Sequence, residues 1–300
     1  MLGLAVALAV LVLGQGGAKP AAAQPPLPPL VYGCYNISGD PVNVPVTVST
    51  QFGLEPYVLV VTPSLLCLPA SITGGPLPDV PHLKCYHILG HYAGKTVNLT
   101  IQGVEIVENN VAVGRALELC VPANKAFPPT IPSAPSLTAA HYECYEIQGP
   151  PLGVTIPTAV TQFGTVNDVY VGQPTRLCAP ALKNGEGDLT ATHLKCYNIA
   201  GPPLDPPRTV NLTTQFGVEL NVSVGGPPVL GCAPVTKTVV GVGGIAELPD
   251  IAGASGEEAG TPAGGSGWSA GNYAALAGGL AAAVVALSAG AWYARRRWIR

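Results

Sequence analysis

Charge is scarce in this chain. Of 300 residues only 14 are Lys or Arg and 17 are Asp or Glu. Residues 24–272 hold six Lys and three Arg against all seventeen acidic residues. Such a surface cannot displace counterions from a phosphate backbone, which excludes nucleic acid as a partner. Aromatic and thioether residues are scarce too, with four Phe, three Trp and one Met. Catalytic signatures are missing: there is no G-x-S-x-G elbow, no H-E-x-x-H pair and no phosphate-cradling glycine loop. With no nucleophile–base pair and no metal set to assemble, the chain reads as a non-enzyme without a cofactor. Between residues 30 and 237 no amphipathic helical period survives.

The two ends are what the middle is not. Residues 2–13, LGLAVALAVLVL, form an apolar run too short for a bilayer, which takes about 20 residues. With Ala21-Ala22-Ala23 ahead of Gln24 they predict a signal peptide over 1–23, although no Lys or Arg precedes the run. A Pro-rich lead-in follows at 24–29. Residues 273–294 carry no charge and would reach about 33 Å as a helix, enough for a transmembrane anchor. Trp292 and Tyr293 stand where interfacial aromatics belong, and Arg295, Arg296 and Arg297 open a basic tail, 295–300, that the positive-inside rule places in the cytoplasm. The expectation is a single-pass cell-surface protein with its ectodomain outside and the lipid bilayer as a partner. Gly278, Ala282, Ala286 and Gly290 recur every four residues, a small-residue face that would let two anchors pair as a homodimer. Residues 238–272, rich in Gly, Ala, Pro and Ser, read as a disordered stalk. LPDIA within it lacks the Thr-Gly that sortase chemistry needs.

Eight cysteines punctuate the body: Cys34, Cys67, Cys85, Cys120, Cys144, Cys178, Cys196 and Cys232. Their successive gaps alternate between long ones of 33 to 36 residues and short ones of 18 to 24. The near-constant gap marks a unit and the variable one a linker. Each unit opens on Cys-Tyr, preceded by His-x-Lys in HLKCYHI (82–88) and HLKCYNI (193–199) and by His-x-Glu in HYECYEI (141–147), with VYGCYNI (31–37) as a drifted first copy. Each continues to Gln-Phe-Gly at 51–53, 162–164 and 215–217, degraded to Gln102-Gly103 in the second copy. Each closes on Cys-x-Pro, and three have a further Lys at 125, 183 and 237. Four repeats therefore cover residues 30–237. Pairing between repeats would strand Cys34 and Cys232, so parity favours Cys34–Cys67, Cys85–Cys120, Cys144–Cys178 and Cys196–Cys232 as structural disulfides of an oxidising compartment.

The pattern resembles a repeat of exported bacterial proteins, H-x-K-C-Y followed by Q-F-G and L-C-x-P-x-x-K. His82, Lys84, Cys85 and Tyr86 match its opening, as do His193, Lys195, Cys196 and Tyr197, while Glu143 replaces the Lys and the first copy has neither His nor Lys. The stretch AWYARRRW is similar to the tail of bacterial surface proteins held by a terminal helix. The resemblance implies a compartment and a repeat type, and no activity.

Within a repeat, segments such as VNVPVTVSTQFG and TVNLTTQFGVELNVSV alternate and are rich in β-branched residues, predicting short strands. The fold class expected is all-β, as two sandwich- or barrel-like domains of two stapled repeats each, 30–125 and 141–237. The Pro-rich stretch 126–140 is the expected boundary, with a string of four beads as the alternative. On a strand His193 and Cys196 face opposite ways, which argues against zinc. His193, Lys195 and Tyr197 then share one face, Leu194 and Cys196 the other. NGEGD at 184–188 lacks the downstream Glu of a calcium loop. Sequons begin at Asn36, Asn98, Asn211 and Asn221. Outside the repeat consensus, His87, His91 and Tyr92 are the candidate ligand loop. Three function classes stand: a displayed binding or adhesion module for a glycan, envelope or protein ligand, a structural envelope protein without a ligand, and, least favoured, an exported enzyme.

Overall fold

The computed structural model describes residues 26–104 and 106–240, and all their regular structure is β-strand. Repeat 1 forms β1 (Tyr32–Asn36), β2 (Val44–Thr50) and β3 (Gly53–Ser71). Repeat 2 forms β4 (His82–Leu89), β5 (Tyr92–Ile101) and β6 (Ile106–Ala126). Repeat 3 forms β7 (His141–Ile147), β8 (Val154–Thr161) and β9 (Gly164–Lys183). Repeat 4 forms β10 (His193–Ala200), β11 (Arg208–Thr214), β12 (Gly217–Val224) and β13 (Leu230–Val239). Each repeat is thus a short Cys-Tyr strand, an outer strand and a long returning strand, split in repeat 4 by Gly225-Gly226-Pro227-Pro228.

The Gln-Phe-Gly motif is the turn between the last two. In repeats 1, 3 and 4 the Thr before Gln accepts a hydrogen bond from the Phe amide at 3.1 Å. The glycines Gly53, Gly164 and Gly217 follow at φ of 142°, 126° and 127°, a region closed to most side chains.

The Cys-Tyr strands and the long strands close a ring, β1-β3-β4-β6-β7-β9-β10-β13 and back to β1, an eight-stranded antiparallel barrel. Register explains the disulfides. Within a repeat the two cysteines lie directly opposite, Cys34 to Cys67, Cys85 to Cys120, Cys144 to Cys178 and Cys196 to Cys232. Between repeats they are offset by two residues, so that Cys67 faces Leu83 and Cys120 faces Tyr142. All four expected bridges are formed and no described cysteine is free. Each closes a loop worth about 3.8 kcal/mol in the chain-entropy account.

Strand alternation sends every one of these cysteines inward, together with Tyr32, Leu65, Leu83, Tyr142, Leu194 and Leu230. Neighbouring bridges touch, with Cys120 Sγ 3.7 Å from Cys144 Sγ and Cys178 Sγ 3.9 Å from Cys196 Sγ. The barrel is filled by sulfur and leucine, leaving about 20 Å³, room for little more than one water.

The outward face of each Cys-Tyr strand is buried as well, because the hairpins cross the molecule. The end of β2 pairs with the end of β9, and β8 with β3, so repeats 1 and 3 exchange edges. Likewise β5 pairs with β13 and β11 with β6, joining repeats 2 and 4. This corrects the division expected from sequence. Instead of two domains or four beads, the repeats share one barrel and one wrap of exchanged hairpins, and the described residues cluster as one compact unit. The stretch 126–140 is not a free boundary. Asn211 Nδ2 donates to Thr130 O at 2.8 Å, Thr213 Oγ1 to Pro132 O at 2.8 Å and Asn124 Nδ2 to Ser133 O at 3.0 Å. The lead-in is structural too: Leu27 packs on the core, and the first residues assigned to the stalk, 238 and 239, complete β13.

The signal peptide (1–23), the stalk from 241 on, the anchor helix with Trp292 and Tyr293, its Gly278–Gly290 face and the tail arginines all lie outside the described residues. Among the described residues no helix is long and apolar enough to cross a membrane.

Candidate functional site

The repeat consensus is a set of contacts between repeats. Each closing Lys covers the Phe of the next repeat around the ring: Lys125 over Phe163 at 5.1 Å, Lys183 over Phe216 at 5.5 Å and Lys237 over Phe52 at 4.9 Å. The His of the opening phrase meets the next repeat's Gln, with His82 bonded to Gln162 and His141 to Gln215, both at 2.7 Å. His193, in the same position, is buried with Nε2 unpartnered, and burial beside Lys237 pushes its pKa down to about 4. Burial lowers His82 and His141 too.

The opening Lys and Tyr look across to the opposite repeat. Lys84 pairs with Glu219 and Lys195 with Glu108, both ammonium groups lying fully buried over the ring of the Tyr two residues on. The tyrosines meet the opposite Phe edge-on: Tyr35 to Phe163 at 5.7 Å, Tyr145 to Phe52 at 4.9 Å and Tyr86 to Phe216 at 5.1 Å. The sequence reading placed His, Lys and Tyr on one strand face; it missed that this face is interior.

Repeat 3 breaks the ionic rule. Glu143 stands where Lys would be, opposite Glu55, so two carboxylates share a buried site. Tyr145 donates to Glu143 Oε2 at 2.6 Å and Glu143 Oε1 has no hydrogen-bond partner. Burial first, then the Glu55 charge, push the Glu143 carboxyl up to about 8. His91 caps the pair from outside, its Nδ1 at 2.5 Å from Glu55 Oε1 and its amide donating to Oε2 at 3.2 Å.

The candidate ligand loop is divided by the fold. His87 points to one mouth of the barrel, His91 is engaged with Glu55, and Tyr92 is 67% exposed opposite Arg115. The residue after each Cys-Tyr pair, Asn36, His87, Glu146 and Asn198, is exposed, and Asn36, His87 and Asn198 line that mouth. Beneath them Arg176 Nε donates to the buried Glu118 at 3.2 Å, and a recess of about 390 Å³ runs past Ser64, whose hydroxyl is buried and unpartnered. Beyond His87 on the same face of β4, Leu89 is exposed and stands opposite Leu59 of β3, two residues from Tyr57, itself 86% exposed. Sequence reasoning missed Tyr57, Glu118 and Arg176; the position after Cys-Tyr, polar in every copy, was the available signal for the ring.

Among the described residues no group of three His, Cys, Asp or Glu is arranged to hold a metal ion. Two of the sequons serve structure: Asn98 and Asn211 accept the amides of Asn110 and Asn221, which sit at left-handed bulges, at 2.9 Å each. Asn211 is 3% exposed.

No protein-family model matches the chain, and no curated protein or solved structure matches it. The functional reading therefore rests on the residues themselves.

Proposed function

We propose that the chain is a single-pass cell-surface binding protein whose disulfide-filled barrel presents the polar mouth and the adjoining aromatic edge to a hydroxyl-rich polymer, such as a glycan of an envelope or matrix. The observation that carries the reading is Tyr57, a phenol ring left 86% exposed in a chain with few aromatics, on β3 two residues from Leu59, which stands opposite the exposed Leu89, two residues past His87 at the mouth. Flat aromatic faces stack on sugar rings, and the amides and the Arg176–Glu118 pair supply directional hydrogen bonds. The four bridges support an oxidising, exported setting. The 273–294 segment supplies the anchor in this reading, which includes no catalytic step. The test is a screen of the released ectodomain against glycans and envelope polymers. A ligand whose binding falls at least tenfold in Tyr57→Ala and Tyr92→Ala supports the assignment. Binding to none of them favours the structural-envelope role, and binding indifferent to both substitutions overturns the site.

A further inference from the structure

Each Cys-Tyr strand sets the residue before its Cys against the hairpin of the opposite repeat. That residue is Gly33, Lys84, Glu143 or Lys195. Its counterpart holds one register position in all four hairpins and is Glu55, Glu108, Val166 or Glu219. Lys84 pairs with Glu219 and Lys195 with Glu108. The corresponding Gly33 and Val166 carry no charge. Only Glu143 and Glu55 set like charge against like, and Glu143 Oε1 is buried there without a partner.

The two sides of this pair are held unequally. Glu143 lies on β7 between Leu119 of β6 and Ala179 of β9, next to the Cys144–Cys178 bridge. Glu55 lies on the outer part of β3. There the strand pairs with β2 through an irregular register between Val46 and Val48, and its pairing with β4 begins only at Leu59. Glu55 itself extends the hold: Oε2 accepts the His91 amide and Oε1 meets the His91 ring. It ties the strand carrying Tyr57 to the turn carrying Tyr92, and that turn is also fixed to β6 by Ala116 N donating to His91 O at 2.9 Å.

The groups facing Glu143 are Tyr145, whose hydroxyl donates to it and touches Thr50 of β2, and Glu55 of β3, with His91 beyond. Lys237 of β13 lies over Phe52, whose ring meets Tyr145 edge-on. Among the described residues no Lys or Arg pairs with either carboxylate.

We propose that Glu143 and Glu55 form a proton-controlled latch. With a proton on Glu143 the pair closes and Glu55 holds His91. Without it the two carboxylates repel, and the tip of the β2–β3 hairpin, the weakly held side, swings off the His91–Tyr92 turn. The sign follows from burial, which pushes the closed Glu143 carboxyl up to about 8 against 4.5 when free. Closure is therefore strongest below 4.5 and is lost as pH rises to about 8. Any effect on ligand binding rests on the polymer-binding reading. The latch does not, and its test contains no ligand, so the two fail separately.

The test is solvent exchange of the His91 amide in the full-length chain, followed by NMR and expressed as protection over the intrinsic rate. From about pH 5.5 to 7.5 the ratio of native to Glu143→Gln protection should fall by about three- to tenfold per pH unit, tenfold being the limit for one proton. Taking the ratio removes what the His91 ring contributes to both proteins. Glu55→Gln, which removes the opposing charge and keeps an acceptor for the amide, should follow Glu143→Gln. A ratio that stays constant across the range overturns the proposal. So does His91 exchange no faster than that of the barrel amides on β7, which would mean that the whole molecule unfolds instead of the hairpin tip.

Discussion

Replacing Glu143 by Gln removes the ionisable half of the buried carboxylate pair while keeping an oxygen for the Tyr145 hydroxyl. Glu143 titrates near 8 in the folded chain against 4.5 when free. The sign follows from linkage. A group whose folded pKa is raised contributes stability that is fully present below its unfolded pKa and is lost as pH rises through the folded value. The histidines work the other way: with folded values depressed, their contribution is present above 6.5 and lost as pH falls, for His193 through about 4. The histidine contribution still rises just above pH 6.5, but it is common to both proteins, so the difference between them isolates Glu143. One pKa unit corresponds to about 1.4 kcal/mol, so between pH 6.5 and 8 the native protein should lose on the order of 2 kcal/mol relative to Glu143→Gln. Glu143→Gln should lose almost none of it. The assay is urea unfolding with disulfides intact, midpoint against pH, for both proteins. Parallel curves between pH 6.5 and 8 would refute the reasoning that burial beside Glu55 keeps Glu143 protonated. Glu143→Lys should also flatten the slope, by recreating opposite Glu55 the pairing of Lys84 with Glu219.

Three further outcomes follow from the same contacts. Lys195→Ala leaves Glu108 partly buried without its cation and uncovers the Tyr197 ring; a loss of about 3 kcal/mol, reduced from the fully buried range because Glu108 is 26% exposed, is expected in chemical denaturation. Asn211→Ala removes an acceptor for Asn221 N and a donor to Thr130 O, and should cost about 1–3 kcal/mol; in a glycosylating host, mass mapping should find Asn211 unmodified. Deleting residues 273–300 should move the protein from the membrane pellet to the medium, and sedimentation of the truncated chain with membranes would remove the anchor from the account.

Much of the barrel was legible because cysteine spacing is a strong, local signal. Constant gaps identified the repeat, parity gave the bridges, and strand alternation assigned Cys196 and Leu194 to one face and Lys195 to the other. The exchange of hairpins was not legible, because a pairing such as Val48 with Lys183 joins segments far apart in sequence whose own strand patterns are satisfied by any partner. Proline content misled at 126–140: the same composition serves a loose linker and a strap stitched to β11 by Asn211 and Thr213. One signal did reach the interface. Repeat 1 lacks His and Lys exactly one repeat ahead of the copy that lacks Phe, and such a joint loss marks a contact between successive repeats. The mouth was not legible because Ser64, Glu118 and Arg176 come from three different repeats and only the closed register of the barrel brings them together.

The central claim is that four repeats close a single barrel, so that neither half folds as a unit without the other. A specific protease site inserted within 126–140 tests it directly, since no disulfide joins residues 30–125 to 141–237. After complete cleavage the two fragments should still elute together at the size of the uncut protein, with an unchanged spectrum, and part only in denaturant. Two fragments that separate under native conditions, each retaining its folded spectrum, would contradict the shared barrel and restore the two-domain reading.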